Sequence, residues 1–361
     1  MGRFKGTAGN PHDGASRVGI LLVNHGSPDD TDIPSVRRYL KIFLSDPRLI
    51  ELPRVLWYCI LNGIILRVRP RRTARAYKKI WTEDGSPMQV ISASLVDQVQ
   101  KRCAEIWGEQ VVVAGGNTYG NPSIAAGLEQ LRQADAQRIV VVPLYPQYTG
   151  VTVGSVFDRV AEELTSWRWV PELRFISGYH NKPEYIKAIA DSIRRFWDVN
   201  GRGDKLVFSY HSLPVAYVEA GDPYYCVCHK TTRQLAKALG LKDDEWEMSF
   251  QSTFVGGKWL KPDLEEMMVT LREQGVHKLD VITPGFAVDN LETLEEIVER
   301  YIPDFAAGNP DYEMRFIPCL NDSPAQTAII ETLIRDNLHG WEDTLQSVAP
   351  VPNAPESAAD A

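Results

Sequence analysis

The chain repeats itself, and the repeat limits what it can fold into. Gly19–Pro28 reads GILLVNHGSP and Leu206–Pro214 reads LVFSYHSLP. Each is a short apolar, β-branched run that ends in a histidine and is followed by Ser and Pro. Residues 113–147 then parallel 248–286: a strand, a polar loop with glycine, a helix ending in LRQ or LRE, a short turn, a strand and a proline. Self-similarity on this scale means two similar α/β halves. The extra length of the first half falls in an insertion at 41–95.

The runs Val18–Val23, Gln110–Ala114, Arg138–Pro143, Lys205–Ser209 and Leu279–Thr283 are short, mainly apolar and β-branched, as strands buried on both faces are, and helical patterns separate them. The expected fold is α/β: two similar Rossmann-like lobes, each on a parallel sheet, with the active cleft between them. The expected limits are a first lobe over 17–175 with a lip insertion at 41–95, a second lobe over 176–322 and a C-terminal helix over 323–344. Residues 1–16 and 345–361, rich in Ala, Pro, Ser and Gly, read as disordered tails. Open parallel sheets bind ligands beyond the carboxyl ends of their strands. His25, Tyr119, Tyr145, His211, Thr253 and Phe286 all fall at or just past such ends.

His211 has two readings, a structural histidine or a metal ligand and proton acceptor. Glu292 also has two. Asp289 and Glu292 have capping-box spacing, yet Glu296 shares the helical face of Glu292. Two stacked carboxylates repel unless a cation or proton lies between them. A carboxylate row beside an imidazole suits transient capture of Fe²⁺.

Other functions are disfavoured. A net charge of −8 and pI near 5.5 argue against a nucleic-acid partner. Five cysteines without a disulfide rhythm fit a reducing, cytoplasmic setting. The N-terminus shows no secretory h-region and lacks the myristoylation pattern. There is no GxGxxG after the first strand, no GxSxG and no CxxC, and FVGGKW lacks the glycine and hydroxyl residue of a phosphate loop. The apolar run Val55–Leu66, followed by Arg67, Arg69, Arg71 and Arg72, is too short to span a bilayer. It reads as a buried helix, or as a lip that grips an apolar ligand or makes peripheral membrane contact through 55–72.

NHGSPDD, YLKIFLSDPRLIELP, DGSPM, PLYPQYTGVTVGS, FSYHSLP with GDPYY, FQSTF with KWLKP, and PGFAVDNLETLEEI occur in that order over about residues 18–335. Together they resemble the ferrochelatase family in its bacterial, protoheme-forming type. The resemblance implies a chelatase-like fold and insertion of Fe²⁺ into protoporphyrin IX, with release of two protons. It gives His211 and Glu292 the catalytic and metal-handling roles and makes Glu296 and Asp289 a secondary acidic row. Tyr119, Phe286, Tyr145 and Trp259 become porphyrin-facing residues. Ser86, Tyr77 and an arginine of the Arg71–Arg72 pair are matched to propionate anchoring.

The chain departs from the family pattern at three places. His25 stands where relatives often carry Met or Leu, so it faces the porphyrin either as a second imidazole or bonded to its own loop. Asn290 replaces a histidine, and Thr118 an arginine. No organic cofactor or nucleotide is implied. A 2Fe–2S cluster is not expected: Gly150 replaces a cluster cysteine, and Cys226, Cys228 and Cys319 do not supply four thiolates in a workable spacing. The rival readings are a coproporphyrin III ferrochelatase, a cobalt chelatase for a corrinoid precursor, and a porphyrin or heme carrier without turnover.

Overall fold

The computed structural model of the chain describes residues 4–6, 17–253, 257–341 and 345. It contains two four-stranded sheets in which every pairing is parallel. The first holds β1 (Arg17–Asn24), β2 (Val111–Asn117), β3 (Ala136–Pro143) and β4 (Glu172–Phe175) in the order β2-β1-β3-β4. The second holds β5 (Lys205–His211), β6 (Trp246–Gln251), β7 (Lys278–Ile282) and β8 (Glu313–Ile317) in the order β6-β5-β7-β8. The same topology occurs twice. Matching helices, Ile124–Gln133 and Leu264–Glu273, follow β2 and β6, and each is capped by the side chain before it, Ser123 or Asp263.

The edge strands β4 and β8 are not among the sequence-predicted strands. ELRF and EMRFI mix charged with apolar residues and are only partly covered, so the continuous apolar run seen even in β2, the other edge of the first sheet, is missing.

The lobes share one core. Val18, Ile20 and Leu22 of β1, Leu206, Phe208 and Tyr210 of β5, and Ile329, Ile330, Leu333 and Ile334 of the last helix belong to one buried cluster. Separate clusters cover the outer face of each sheet. The last helix, Pro324–Asp336, follows the second sheet but lies on helix Pro87–Trp107 of the first lobe. There Ser94 donates to Asp322 (2.6 Å), Arg102 to Glu331 (2.7 Å) and Thr327 to Gln98 (3.3 Å). Beyond the helix, Trp341 is 1% exposed, donates to Glu172 at the start of β4 (2.8 Å), and carries the Arg174 guanidinium 3.9 Å from its ring centre. The chain end is thereby strapped to the first sheet. The tails expected at 1–16 and 345–361 lie outside the described residues except for 4–6 and 345. Lys5 exchanges backbone hydrogen bonds with Ser166 and Arg168, both 2.8 Å.

The insertion builds a lip with its own small core of Val36, Leu40, Trp57, Leu61 and Leu66. It is carried by helices Ile33–Leu44, Arg54–Ile60 and Leu66–Ile80, the last two joined by a wider π turn at Leu61–Ile65. Within the apolar run, Trp57, Leu61 and Leu66 turn inward while Val55 (82% exposed), Leu56, Tyr58 and Ile64 face outward. The run is a surface helix with an apolar outer row. Among the described residues no helix is long and apolar enough to cross a membrane.

Truncating Trp341 removes a fully buried aromatic and its cation–π partner. Trp341→Ala is expected to cost about 3–5 kcal/mol in urea denaturation; a loss under about 1 kcal/mol would mean that the strap contributes little.

Candidate active site

His211 ends β5, where Gln251 of β6 stands opposite it. Ser209 donates to the Gln251 carbonyl (2.8 Å), and the Gln251 amide donates to the backbone oxygen of Glu292 (3.0 Å). One buried glutamine therefore ties the strand carrying His211 to the helix start carrying Glu292. The His211 Nδ1 lies 2.7 Å from the Ser212 carbonyl. That oxygen only accepts, so Nδ1 carries a proton, and Nε2 is left without a hydrogen-bond partner among the described residues.

The capping-box alternative for Glu292 is set aside. The Asn290 side chain is the cap, accepting from the Glu292 and Thr293 amides (2.9 and 3.1 Å). The residue standing where relatives have histidine thus holds the helix end. The carboxylate of Glu292 makes no hydrogen bond or ion pair to another side chain among the described residues. Burial raises its proton affinity, as does Glu296, while His211 and Arg69 act the other way.

The helix from Glu292 to Tyr301 is a π-helix, a form that often marks functional sites. Glu296 lies further inside it and is fully engaged: Ser252 bonds it through both backbone and hydroxyl, Tyr301 donates to it (2.8 Å) and Arg300 pairs with it (2.9 Å). Asp289 is equally committed, to Thr293, the Cys319 amide and Asn321. Of the three acids only Glu292 has a carboxylate left over.

The first lobe supplies aromatics. His25, directly after β1, packs edge-on against Phe43 and Tyr119 (ring centres 4.9 Å each) and against Tyr39 (6.5 Å). Burial lowers its pKa to about 4, and the nearby His211 adds to the effect. Tyr119 donates its hydroxyl to the buried Asp46 (2.8 Å). Tyr77, on the lip helix, stands edge-on to Tyr39 (6.4 Å). The charge of Glu292 acts on Tyr39, Tyr77 and Tyr145, and Lys79 of the lip pairs with Glu295 (2.9 Å). The lip is thus pulled down beside the second lobe's acidic helix.

The structure brings His25, His211, Glu292, Tyr77, Tyr119 and Tyr145 into one electrostatic neighbourhood. The others lie further out or are not joined to it. Phe286 is half-buried in the turn after β7. Trp259 bridges to Pro214 and lines a cavity of about 630 Å³ with Tyr225, Thr253 and Lys258. A second cavity, about 510 Å³, lies beside Tyr39 and Thr118, and neither contains His211 or Glu292. Ser86 is buried at the start of helix Pro87–Trp107, away from the contacts that join the histidines.

Three residues of the neighbourhood are absent from the sequence-derived set: Tyr39, Phe43 and Arg69. Arg71 and Arg72 are exposed, whereas Arg69 turns inward, loses proton affinity through burial, and senses both Tyr39 and Glu292. A period of 3.6 through the lip, with Leu66, Arg69, Pro70, Thr73 and Tyr77 on one face, carries that signal.

A duplicated parallel fold with an imidazole and a free carboxylate between its halves is the architecture of a metal chelatase. The solved sirohydrochlorin chelatase SirB from Bacillus subtilis subspecies spizizenii in complex with cobalt has this fold, with a TM-score of 0.52 at 13% identity over 91% of this chain and 97% of that one. The chain belongs to the ferrochelatase family, whose model matches residues 17–338. Ferrochelatases of Nitrosococcus oceani and Thioalkalivibrio sulfidiphilus are 47% and 48% identical to it, each over 94% of this chain and 92% of the relative. It is an enzyme of the porphyrin metal chelatase class, with Fe²⁺ as its substrate metal.

The half-buried His25, desolvated by the rings around it, makes stability depend on pH. The unfolded chain takes up a proton there as pH falls through 6.5, the folded protein only near 4, so stability is lost across that window, by roughly 3 kcal/mol at its acid end. In urea titrations at pH 7 and pH 4, His25→Met should lose less stability on acidification than the parent. An equal loss in both proteins would refute the burial of a neutral imidazole.

Proposed function

We propose that the protein inserts Fe²⁺ into protoporphyrin IX, with His211 and Glu292 at the centre of the reaction, as the last step in making protoheme. The observation that carries this reading is that, among the three acids of the row, only Glu292 has a free carboxylate, and that it shares a half-buried, electrostatically coupled site with His211.

A free-base porphyrin is flat and carries two inner N–H protons. Its nitrogen lone pairs lie in the ring plane until the ring is bent. Binding energy from remote parts of the ring, roughly 1–5 kcal/mol, offsets that strain. Tyr39, Tyr77, Tyr119, Tyr145 and Phe286 supply flat walls, and Trp259 stands at the rim. Arg69, rather than the exposed Arg71 or Arg72, is the guanidinium placed to meet a propionate, with Tyr77 and Ser86 on the same half of the molecule.

His211 Nε2 takes a pyrrole proton or passes the metal. Glu292, whose proton affinity is raised, accepts a proton more readily than an ordinary carboxylate and offers a hard oxygen to Fe²⁺ when ionised. Asp289 and Glu296 brace the helix that presents Glu292, because their oxygens are already bonded. The outward row of Val55, Leu56, Tyr58 and Ile64, beside exposed Arg67 and Arg71, is suited to resting on an anionic bilayer, where an apolar porphyrin partitions.

Two measurements test this. In an anaerobic Fe²⁺-insertion assay run with protoporphyrin IX and coproporphyrin III side by side, the former should react faster. His211→Ala should lose at least about a hundredfold in kcat while still quenching with porphyrin; an active variant refutes the assignment. On vesicles with anionic lipid, Leu56→Asp should reduce sedimentation of the protein, and unchanged binding would exclude the lip as the contact.

A further inference from the structure

We infer that Asp46, a buried carboxylate at the base of the inserted lip, is a positioning residue for the insertion reaction: by holding the hydroxyl of Tyr119 it fixes the first lobe's aromatic wall, against which the porphyrin is bent. This deepens the reading above and depends on it.

The contacts of Asp46 carry the inference. Helix Ile33–Leu44 ends two residues before it, and it is 3% exposed. One carboxylate oxygen accepts the Tyr119 hydroxyl and the other the Arg48 amide, both at 2.8 Å. Its backbone is engaged as well: the N–H donates to the Phe43 carbonyl (3.3 Å), and the carbonyl accepts from the Ile50 amide (3.1 Å). Arg48 extends the anchor, since its guanidinium donates to Asp158 of helix Ser155–Leu164 (2.9 Å). That guanidinium lies so close to Gly154 that a β-carbon there would stand 2.9 Å from Nη1. The insertion lies outside the repeat, and this carboxylate is where it takes its position from the duplicated fold.

Two donors meet the two oxygens of Asp46, so both oxygens must accept. An asparagine side chain would turn an N–H toward one of those donors. Burial, and after it the Asp46 charge, hold the Tyr119 phenol protonated, so the bond runs from tyrosine to carboxylate. Tyr119 is thereby tied at two points, its amide to the His25 carbonyl (2.9 Å) and its hydroxyl to Asp46. From its ring the wall continues edge-on to Phe43 (5.0 Å between centres), stacked to Tyr39 (6.0 Å) and edge-on to Tyr77 of the lip (6.4 Å). Phe43 and Tyr39 belong to the helix that Asp46 follows, so one carboxylate bears on three of the four rings. A wall fixed in this way does not yield to a flat macrocycle, and the bend is borne by the porphyrin.

The test uses the full-length protein loaded with free-base protoporphyrin IX and read by resonance Raman, which reports out-of-plane bending of the ring without turnover. The bound porphyrin in the parent protein should show out-of-plane modes that the free porphyrin lacks. Asp46→Asn and Tyr119→Phe should each lose most of that intensity and lower kcat at least about tenfold, with KM for porphyrin changed less than about threefold. The double variant should be no slower than the slower single one, because both substitutions remove the same bond. Urea midpoints identify a variant that fails to fold; Tyr119→Phe, which loses a single oxygen, then carries the test. A parent spectrum without those modes, bending or kcat unchanged in a folded Tyr119→Phe, or losses that multiply in the double variant overturn the inference. Absence of Fe²⁺ insertion by the parent would instead overturn the proposed function, and the Raman spectra report on Asp46 independently of turnover.

Discussion

Parallel pairing is the constraint from which the rest follows. A central parallel strand is covered on both faces, so its side chains are taken up by the core, and chemistry is left to the carboxyl ends. In β1 every residue from Val18 to Asn24 is buried, and in β5 every residue from Leu206 to Tyr210. His25 and His211 are the first side chains released from that packing. Because the two sheets share one apolar core, the two sets of strand ends are held in a fixed relation, and a site made from both halves arrives preorganised.

The second consequence is electrostatic. Residues turned inward at the strand ends lose water, and their charges then act on one another strongly. Glu292 is half-buried without a partner of its own among the described residues, His25 is kept neutral, and Arg69 is drawn in against both Glu292 and Tyr39. The network around Asp289, Asn290 and Glu296 is the scaffold for this imbalance: it meets its own hydrogen-bonding needs and leaves one carboxylate over. The division of labour among chemically similar acids is set by which neighbours each one has.

Much of this was legible in the chain. The repeat predicted two lobes of one topology, and strand-end logic singled out His25, Tyr119, Tyr145 and His211 before any coordinates. β4 and β8 were not legible because ELRF and EMRFI mix charged with apolar residues and lack a continuous apolar run. Arg69 was missed because it sits among four arginines of like spacing, and only helix phase separates the one that turns in. Tyr39 and Phe43 were missed because they lie on an inserted helix, outside the repeat that guided the reading. Spacing alone also suggested that Asp289 caps the Glu292 helix, whereas Asn290, one residue on, accepts the amide protons.

The strap from helix Pro324–Asp336 to Trp341 has a further consequence. It staples the rear of both sheets together, so the two halves do not swing apart like the covers of a book. On the open side the 54–80 insert meets the opposite half, and among the described pairs the one ion pair that joins them is Lys79 with Glu295. A repeat that would otherwise be nearly symmetric thus carries one asymmetric flank, whose outer surface is the apolar row at Val55, Leu56 and Ile64.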